Sequence, residues 1–438
     1  MTSQHFSELT LTVTKNLSKE EKKEFGIFIT PKSIISNLFS SIKTYLNNDV
    51  SKIKRLLEPS CGTCEIVNYC DKMMTGIEID GIEFNKTVYD SIKSLKFTNK
   101  VSLINQDFIK YKTSNLYDLI IGNPPYFVCK KDDIPEEYSE YIYGRPNIFG
   151  LFIIHSLNLI KPGGIIALII PKSFLNSLYY SKIRNYIKDT CSIIKIDDYS
   201  SLNDFIDTDQ ATFGLIIQKN IVPKAATECN YSMLFNNNYI FTDNLSELKA
   251  MFENSTTLEK LGLKVKTGQI VWNQVKEELT DDTENTILVY NSNISKDNKL
   301  VIKEFKNDEK KQYIERDGRI DPVLVVNRGN GNSAYKLNYA IIKQGPFLIE
   351  NHLNEIYSPK KMERNKLLEL YEKIIKSFEN PKTKKFIELF LGNNGLSKTE
   401  LETIFPIYDI WKAGKAIPLP FFHLNKILIF FPVLVTAS

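Results

Sequence analysis

Between about residues 50 and 220, short β-branched and aliphatic runs alternate with longer segments of helical period, the pattern of a doubly wound α/β sheet. Seven runs read as strands: Ile53 to Leu57, Thr75 to Ile79, Val101 to Ile104, Asp118 to Ile121, Ile165 to Ile170, Ser192 to Ile196 and Thr212 to Gln218. Amphipathic segments separate most of them. The last two runs have no full helix between them, which predicts an antiparallel final pair. A helix is expected from about Lys32 to Leu46. Lys161-Pro162-Gly163-Gly164 is expected to stop another that begins near Asn147.

After Val222 the rhythm changes to irregular strands, polar turns and scattered aromatics. A chain of 438 residues is too long for one ordinary core. The pattern predicts a first domain over 1–222, a mixed α+β domain over 223–410 and an apolar tail over 411–438, with no internal repeat and no low-complexity linker. In the tail, Pro418, Pro420 and Pro432 interrupt an apolar stretch that ends Ile427 to Val435. It falls short of the ~20 apolar residues a membrane span needs, so a terminal strand or packed tail is expected, with an oligomer or membrane-surface contact as the alternative.

Composition places the chain among folded globular proteins, since 42% of residues are hydrophobic and 25% charged. A net charge of +4 permits nucleic-acid binding without requiring it, so any such binding needs a local groove. Lys22-Lys23, Lys310-Lys311 and Lys360-Lys361 read first as solvated surface. Six cysteines at irregular spacing, behind an N-terminus without a signal-peptide pattern, predict an intracellular, reducing setting. Cys61, Cys64 and Cys70 have no second ligand pair at finger spacing, so no metal is expected. None of the four histidines stands in a metal-binding pair or a nucleophile constellation.

In an open sheet of this type ligands bind beyond the carboxyl ends of the strands, so the loops that follow strands carry the chemistry. After the first strand, Leu57-Glu58-Pro59-Ser60-Cys61-Gly62-Thr63-Cys64-Glu65 turns tightly into a helix. Gly62 allows close backbone approach, and the helix N-terminus favours a carboxylate. The second run ends Gly76-Ile77-Glu78-Ile79-Asp80, an acid at a strand tip suited to accept from ribose hydroxyls. The third ends Asn105-Gln106-Asp107-Phe108, an acceptor for an adenine amino group beside a ring to stack on it. The fourth runs directly into Gly122-Asn123-Pro124-Pro125-Tyr126-Phe127. Two prolines stiffen that loop and remove two donors, leaving the Asn123 side-chain oxygen and the Pro124 carbonyl as an acceptor pair for one amino group, with Tyr126 as a flat face for a base.

These residues closely resemble the amino-directed DNA methyltransferases of restriction-modification systems in their gamma arrangement, where the cofactor region comes first, the Asn-Pro-Pro-Tyr loop second and the target-recognition domain last. The resemblance implies a Rossmann-like methyltransferase sheet of seven strands, mostly parallel with an antiparallel final strand, S-adenosyl-L-methionine as cofactor and double-stranded DNA as partner. Phe25-Gly26-Ile27-Phe28-Ile29-Thr30-Pro31 looks like the family's N-terminal cofactor motif and would bring Thr30 to the methionine carboxylate. By the same matching Glu58 and Gly62 would line the methionine side, Glu78 would bind ribose, and Asp107 and Phe108 would bind the cofactor adenine. Phe205 matches the second aromatic that packs on a flipped base opposite Tyr126. Cys64 stands where the family usually has a second glycine, which puts cofactor affinity in question. Val271-Trp272-Asn273-Gln274, Asn327-Arg328-Gly329-Asn330-Gly331-Asn332-Ser333 and Glu350-Asn351-His352-Leu353 resemble recognition-domain segments more loosely, with Trp272, Arg328 and Asn330 as the expected DNA contacts.

The implied reaction is methylation of adenine N6 on a base extruded from the duplex, without a covalent enzyme intermediate. Asn123 leans toward adenine and leaves N4-cytosine methylation open. A protein glutamine amide or an RNA base are rival substrates. The roughly 200 residues after Val222 favour DNA over both. A non-catalytic DNA-binding scaffold of the same fold is the rival of a different class. With the cofactor motif near the N-terminus and no nuclease motif after it, a stand-alone, monomeric methylase is expected, with a cognate restriction endonuclease as a further partner.

Overall fold

A computed structural model describes residues 6–16, 30–130, 132, 134–144, 147–199, 211–221, 230–329, 335–391 and 395–410. The first domain is built on strands β1 (Arg55–Glu58), β2 (Glu78–Glu83), β3 (Lys100–Asn105), β4 (Tyr117–Gly122), β5 (Ile160–Pro171), β6 (Cys191–Asp198) and β7 (Thr212–Lys219). They form one sheet in the order β3-β2-β1-β4-β5-β7-β6, with β7 antiparallel to both neighbours and the paired strands from β1 to β5 parallel. The antiparallel strand therefore lies inside the sheet, between β5 and β6.

Period-two alternation divides the sheet between two apolar layers. Leu56, Leu119, Ile121, Ala167, Ile169 and Ile216 face one core with helix α2 (Lys32–Tyr45) and helix α3 (Glu65–Met73), while Leu57, Ile120, Ile166, Leu168, Leu215 and Ile217 face the other. That second layer takes up helix α5 (Ile148–Leu159) and helix α6 (Ser181–Thr190). Helix α1 (Glu8–Asn16) and helix α4 (Lys86–Ile92) complete the domain. Asn147 caps α5 by accepting from the Phe149 amide, and the helix ends at Leu159. Lys161 to Gly164, expected to stop that helix, instead lie within β5.

The second strand differs most from the sequence reading. It spans Glu78–Glu83 rather than Thr75 to Ile79, because Gly76 sits at φ +68° and interrupts extended backbone ahead of it. It then continues through Gly81, which pairs with Glu58 on one side and Leu103 on the other.

Strand order reverses between β1 and β4, so the tips of these two strands bound the crevice where ligands bind in such sheets. Glu58 and Asn123 stand there.

The second domain has its own cores. An antiparallel sheet orders strands Lys264–Thr267, Leu353–Tyr357, Val323–Asn327 and Tyr339–Ile342, with helices Arg364–Phe378 and Pro381–Phe390 packed near it. A second sheet joins Leu279–Thr280, Tyr313–Ile314, Thr286–Val289 and Phe347–Ile349. The expected boundary at residue 222 falls outside the described residues, as does the tail 411–438. The hairpin of Ser232–Phe235 and Asn238–Phe241 serves both domains: Phe235 and Ile240 enter the second core, Phe241 the first. Arg184 on α6 is fully buried beneath it, donating to the carbonyls of Tyr239, Phe174, Ser177 and Asn176. Among the described residues no helix is long and apolar enough to cross a membrane.

Candidate active site

The loop after β1 is held by its own backbone. Cys61 N–H donates to Ile82 O at 2.8 Å, and Cys64 N–H to Cys61 O at 2.7 Å. Gly62 sits at φ +50°, where a side chain is disfavoured, and aims its N–H at Glu83 Oε2 at 2.9 Å. Cys64 takes φ 65°, ψ 28° immediately before α3, a left-handed conformation that glycine adopts without penalty. The cysteine is thus accommodated in the turn at a conformational cost of about 1–2 kcal/mol.

Two carboxyls line this loop. Glu58, 2% exposed, accepts from the Val67 N–H of α3 at 3.1 Å. Glu83 accepts from Gly62 and, at 2.7 Å, from Asn85. Burial pushes both carboxyls above the usual range; beside Glu58, Cys64 and the carboxyls of Glu83 and Glu65 push the same way, and no cation among the described residues offsets either shift. Helix α1 covers the loop: Ser7 N–H and the Thr10 hydroxyl donate to Glu65 Oε1 at 2.8 and 2.6 Å, and Thr10 also meets the Thr63 hydroxyl at 2.7 Å. Uncompensated buried carboxyls beside a glycine turn and a helix N-terminus fit a ligand carrying positive charge, hydroxyl donors and a carboxylate. S-adenosylmethionine carries all three.

The Asn-Pro-Pro-Tyr loop leaves β4 pressed against the β1 loop. A Cβ on Gly122 would lie 2.9 Å from Pro59 Cδ, so only glycine permits this approach. The Ser60 hydroxyl donates to the Asn123 carbonyl at 3.1 Å, and Asn123 Nδ2 donates to the Thr30 hydroxyl at 3.0 Å. The Tyr126 phenol lies 2.5 Å from Asn123 Oδ1 and 2.9 Å from the Ile169 carbonyl at the end of β5. Its ring meets Phe149 edge-on at 6.2 Å, and burial pushes the phenol pKa well up. Beyond the loop, Ile148 N–H donates to Phe127 O, tying the exit to the start of α5.

Several expected site residues lie elsewhere or act differently. Glu78 stands at the amino end of β2, ion-paired with Arg55 at 2.6 Å and Lys100 at 2.8 Å, a strand's length from the crevice. Asp80 is also short of the tip, held by Arg55 and the Tyr117 hydroxyl. Glu83 is the acid at the tip. Its signal was present, because Gly81-Ile82-Glu83-Phe84-Asn85 repeats the pattern of Gly76-Ile77-Glu78-Ile79-Asp80 and is the copy that runs directly into a capped helix, α4. Asp107 does follow β3, capping a short turn by accepting from Ile109 N–H at 3.0 Å, beside Gln106, whose N–H donates to Glu83 O. Phe108 is 2% exposed and packs on Phe152 and His155, each at 4.7 Å, so it is core and offers no open face to a purine. Phe205 and Asn330 lie outside the described residues.

In the second domain two of the expected recognition segments meet each other and Ile270, the residue just before the third, Val271 to Gln274. Ile270 pairs with Glu350, Asn351 N–H donates to Ile270 O, and Arg328 donates from its N–H to His352 O and from Nη1 to Asn351 O. Arg328 is exposed, whereas Trp272 is partly buried in a small core with Tyr290 and Phe305. Lys310 Nζ stands over all three rings, 5.5 Å from Trp272, 4.1 Å from Tyr290 and 4.7 Å from Phe305, and burial pulls its pKa down. No group of histidines, cysteines or carboxylates able to hold a metal ion occurs among the described residues.

Residues 23–205 match the Eco57I restriction-modification methylase family. The modification methylase CviBIII of Paramecium bursaria Chlorella virus NC1A is 26% identical over 415 residues, covering 92% of this chain and 99% of its own length. The type II methyltransferase M.CvrRI of Paramecium bursaria Chlorella virus XZ-6E is 26% identical over 410 residues, with the same coverage. Among solved structures, the type IIG restriction endonuclease BpuSI is similar over 92% of this chain and 60% of its own, at 11% identity and a TM-score of 0.41. Over nearly its whole length the chain is thus similar to restriction-modification methylases, and it is an S-adenosylmethionine-dependent DNA methyltransferase.

Proposed function

We propose that this enzyme, in the gamma arrangement, methylates the exocyclic N6 of an adenine rotated out of duplex DNA. The observation that carries the proposal is Asn123 at the tip of β4, beside the cofactor loop, with its side-chain oxygen facing the Tyr126 phenol and its amide nitrogen turned to Thr30. Bound S-adenosylmethionine supplies an electrophilic methyl group. The chain's own residues do the rest.

Glu83 and Asp107, at the adjoining tips of β2 and β3, are acceptors for the ribose hydroxyls and the cofactor's adenine amino group, and Glu58 faces the methionine side. Asn123 Oδ1 and the Pro124 carbonyl accept from the two hydrogens of the target amino group. Drawing those hydrogens from the ring plane localises a lone pair otherwise delocalised into the purine and aligns it for attack. Tyr126 and Phe205 are the aromatic faces for the extruded base, whose stacking offsets the unstacking cost of a few kcal/mol. The exposed Arg328, with its neighbours Asn351 and His352, presents donors to phosphate or base edges from the second domain.

Incubating the purified chain with unmethylated DNA and labelled S-adenosylmethionine, then identifying the modified nucleoside by mass spectrometry, tests this reading. N6-methyladenine is expected. N4-methylcytosine would overturn the base assignment, and label in protein or RNA but not DNA would overturn the substrate.

A further inference from the structure

We infer that Thr30 and Ser60 are positioning residues that lock the acceptor amide of Asn123 to the cofactor side of the crevice; this rests on the reading of Asn123 as the acceptor. The side-chain amide torsion of an asparagine is broad and two-fold, so an unsupported Asn123 would present its NH2 to the target amino group about as readily as its oxygen. Donor facing donor cannot bind. Thr30, 5% exposed, takes the Asn123 Nδ2 hydrogen at 3.0 Å and leaves Oδ1 pointing toward Tyr126.

Ser60 holds the other half of the same residue. Its hydroxyl donates at 3.1 Å to the Asn123 carbonyl, which belongs to the bond preceding Pro124, so the backbone there is anchored just before the stiff segment. Pro59 meanwhile packs against Gly122. Ser60 lies two residues before Gly62, whose N–H is bound by Glu83. The cofactor-binding loop and the acceptor amide are therefore one hydrogen-bonded unit, and ordering of the loop is passed directly to Asn123.

This differs from a direct role for Thr30 on the methionine carboxylate, and the two make opposite kinetic predictions. In the full-length enzyme, Thr30→Val keeps the side-chain shape and removes the acceptor. Single-turnover methyl transfer at saturating S-adenosylmethionine should slow about tenfold or more, the loss of one oriented hydrogen bond, while the cofactor Kd measured by calorimetry stays within about threefold. Thr30→Ser, which restores the hydroxyl, should restore the rate. Ser60→Ala should slow transfer in the same way.

A raised Kd with a wild-type rate at saturation would overturn the inference by making Thr30 a cofactor ligand, and wild-type behaviour of both Thr30→Val and Ser60→Ala would overturn it outright. If Thr30→Val does not fold, Thr30→Ala, which removes the same acceptor, together with Ser60→Ala decides the matter on the same readouts. Asn123→Ala separates the two levels. If that variant retains transfer, the acceptor reading itself falls. If it is inactive while Thr30→Val and Ser60→Ala are unaffected, the positioning roles alone fall.

Discussion

The phenol oxygen of Tyr126 lies 2.5 Å from Oδ1 of Asn123, on the atom that the proposed chemistry reserves for the target amino group. In the free enzyme the acceptor is satisfied from within; on the proposed mechanism an incoming amino group would displace the phenol, which retains the Ile169 carbonyl 2.9 Å away. Tyr126→Phe should therefore lower the stability of the free protein by about 1 kcal/mol, because Asn123 loses a donor, with methyl transfer at least as fast as wild type. Tyr126→Ala, which also removes the stacking face, should weaken binding of target DNA by roughly 1–3 kcal/mol. Thermal melts and DNA titrations of the two variants separate these effects. A Phe variant as slow as the Ala variant would show that the hydroxyl has a part in transfer.

On the proposed mechanism, Asn123→Ala removes one of two acceptors that act on the transition state more than on bound cofactor. Transfer should fall by about 10²–10³ or more, the size seen when a preorganised polar partner is deleted, with S-adenosylmethionine affinity within about an order of magnitude. Parallel single-turnover rates and calorimetric titration check both halves. Wild-type turnover would remove Asn123 from the mechanism.

The sheet and its Asn-Pro-Pro-Tyr loop are legible because the strand runs are rich in β-branched and aliphatic residues, and Asn123-Pro124-Pro125-Tyr126 follows β4 directly. The second strand lies downstream of the run Thr75 to Ile79, because nothing local marks Gly81 as extended backbone. Pairing on both sides carries the backbone straight through Gly81. That displacement made Glu78 the expected ribose ligand when Glu83 occupies the tip. Phe108 failed for a different reason: a loop aromatic carries no local mark of which way its ring points, and here α5 claims it. The Thr30 to Asn123 bond spans 93 positions and leaves no periodic signature. The meeting of Ile270, Arg328 and Glu350 is likewise made by pairings that no single segment encodes.

The placement of Glu83 at the tip of β2 gives a paired test. Glu83→Gln should weaken S-adenosylmethionine binding about tenfold or more, whereas Glu78→Gln, which touches a partly exposed ion pair far from the crevice, should leave both affinity and melting temperature nearly unchanged. Because burial holds the Glu83 carboxyl above the ordinary 4.5, cofactor affinity should fall with acid at a higher pH than for an exposed glutamate. Titrations across the acid range test this. Equal affinity losses in both variants would contradict the placement of β2.

Burial of Glu58 has a consequence for stability whose sign is fixed by linkage. Its folded pKa is raised, so between the ordinary 4.5 and that raised value the folded protein binds more protons than the unfolded chain. Stability then falls as pH rises through the window. Glu58→Gln keeps an acceptor for the Val67 N–H and has no charge to bury. Without cofactor it should melt higher than wild type near neutral pH, with the difference vanishing toward pH 4.5. Its affinity for S-adenosylmethionine should drop. A variant less stable than wild type at neutral pH would instead mean that the carboxylate is neutralised within the free protein.

Lys310 offers a test of the second domain. Its ammonium is stacked over Trp272, Tyr290 and Phe305; Ile270, two residues before Trp272, pairs with Glu350, and the neighbouring Asn351 carbonyl accepts from Arg328. Lys310→Met keeps most of the apolar stem and removes the charge, at an expected cost of about 0.5–2 kcal/mol in cation–π interaction. Arginine is the better control than a small residue, since its guanidinium also stacks on rings. The methionine variant should show altered Trp272 fluorescence and weaker DNA binding, with S-adenosylmethionine affinity unchanged because the cofactor loop belongs to the other domain. Lys310→Arg should recover most of the DNA affinity. If DNA binding is indifferent to both substitutions while the fluorescence changes, the aromatic cluster is a packing feature and the DNA contacts of this domain lie away from Trp272.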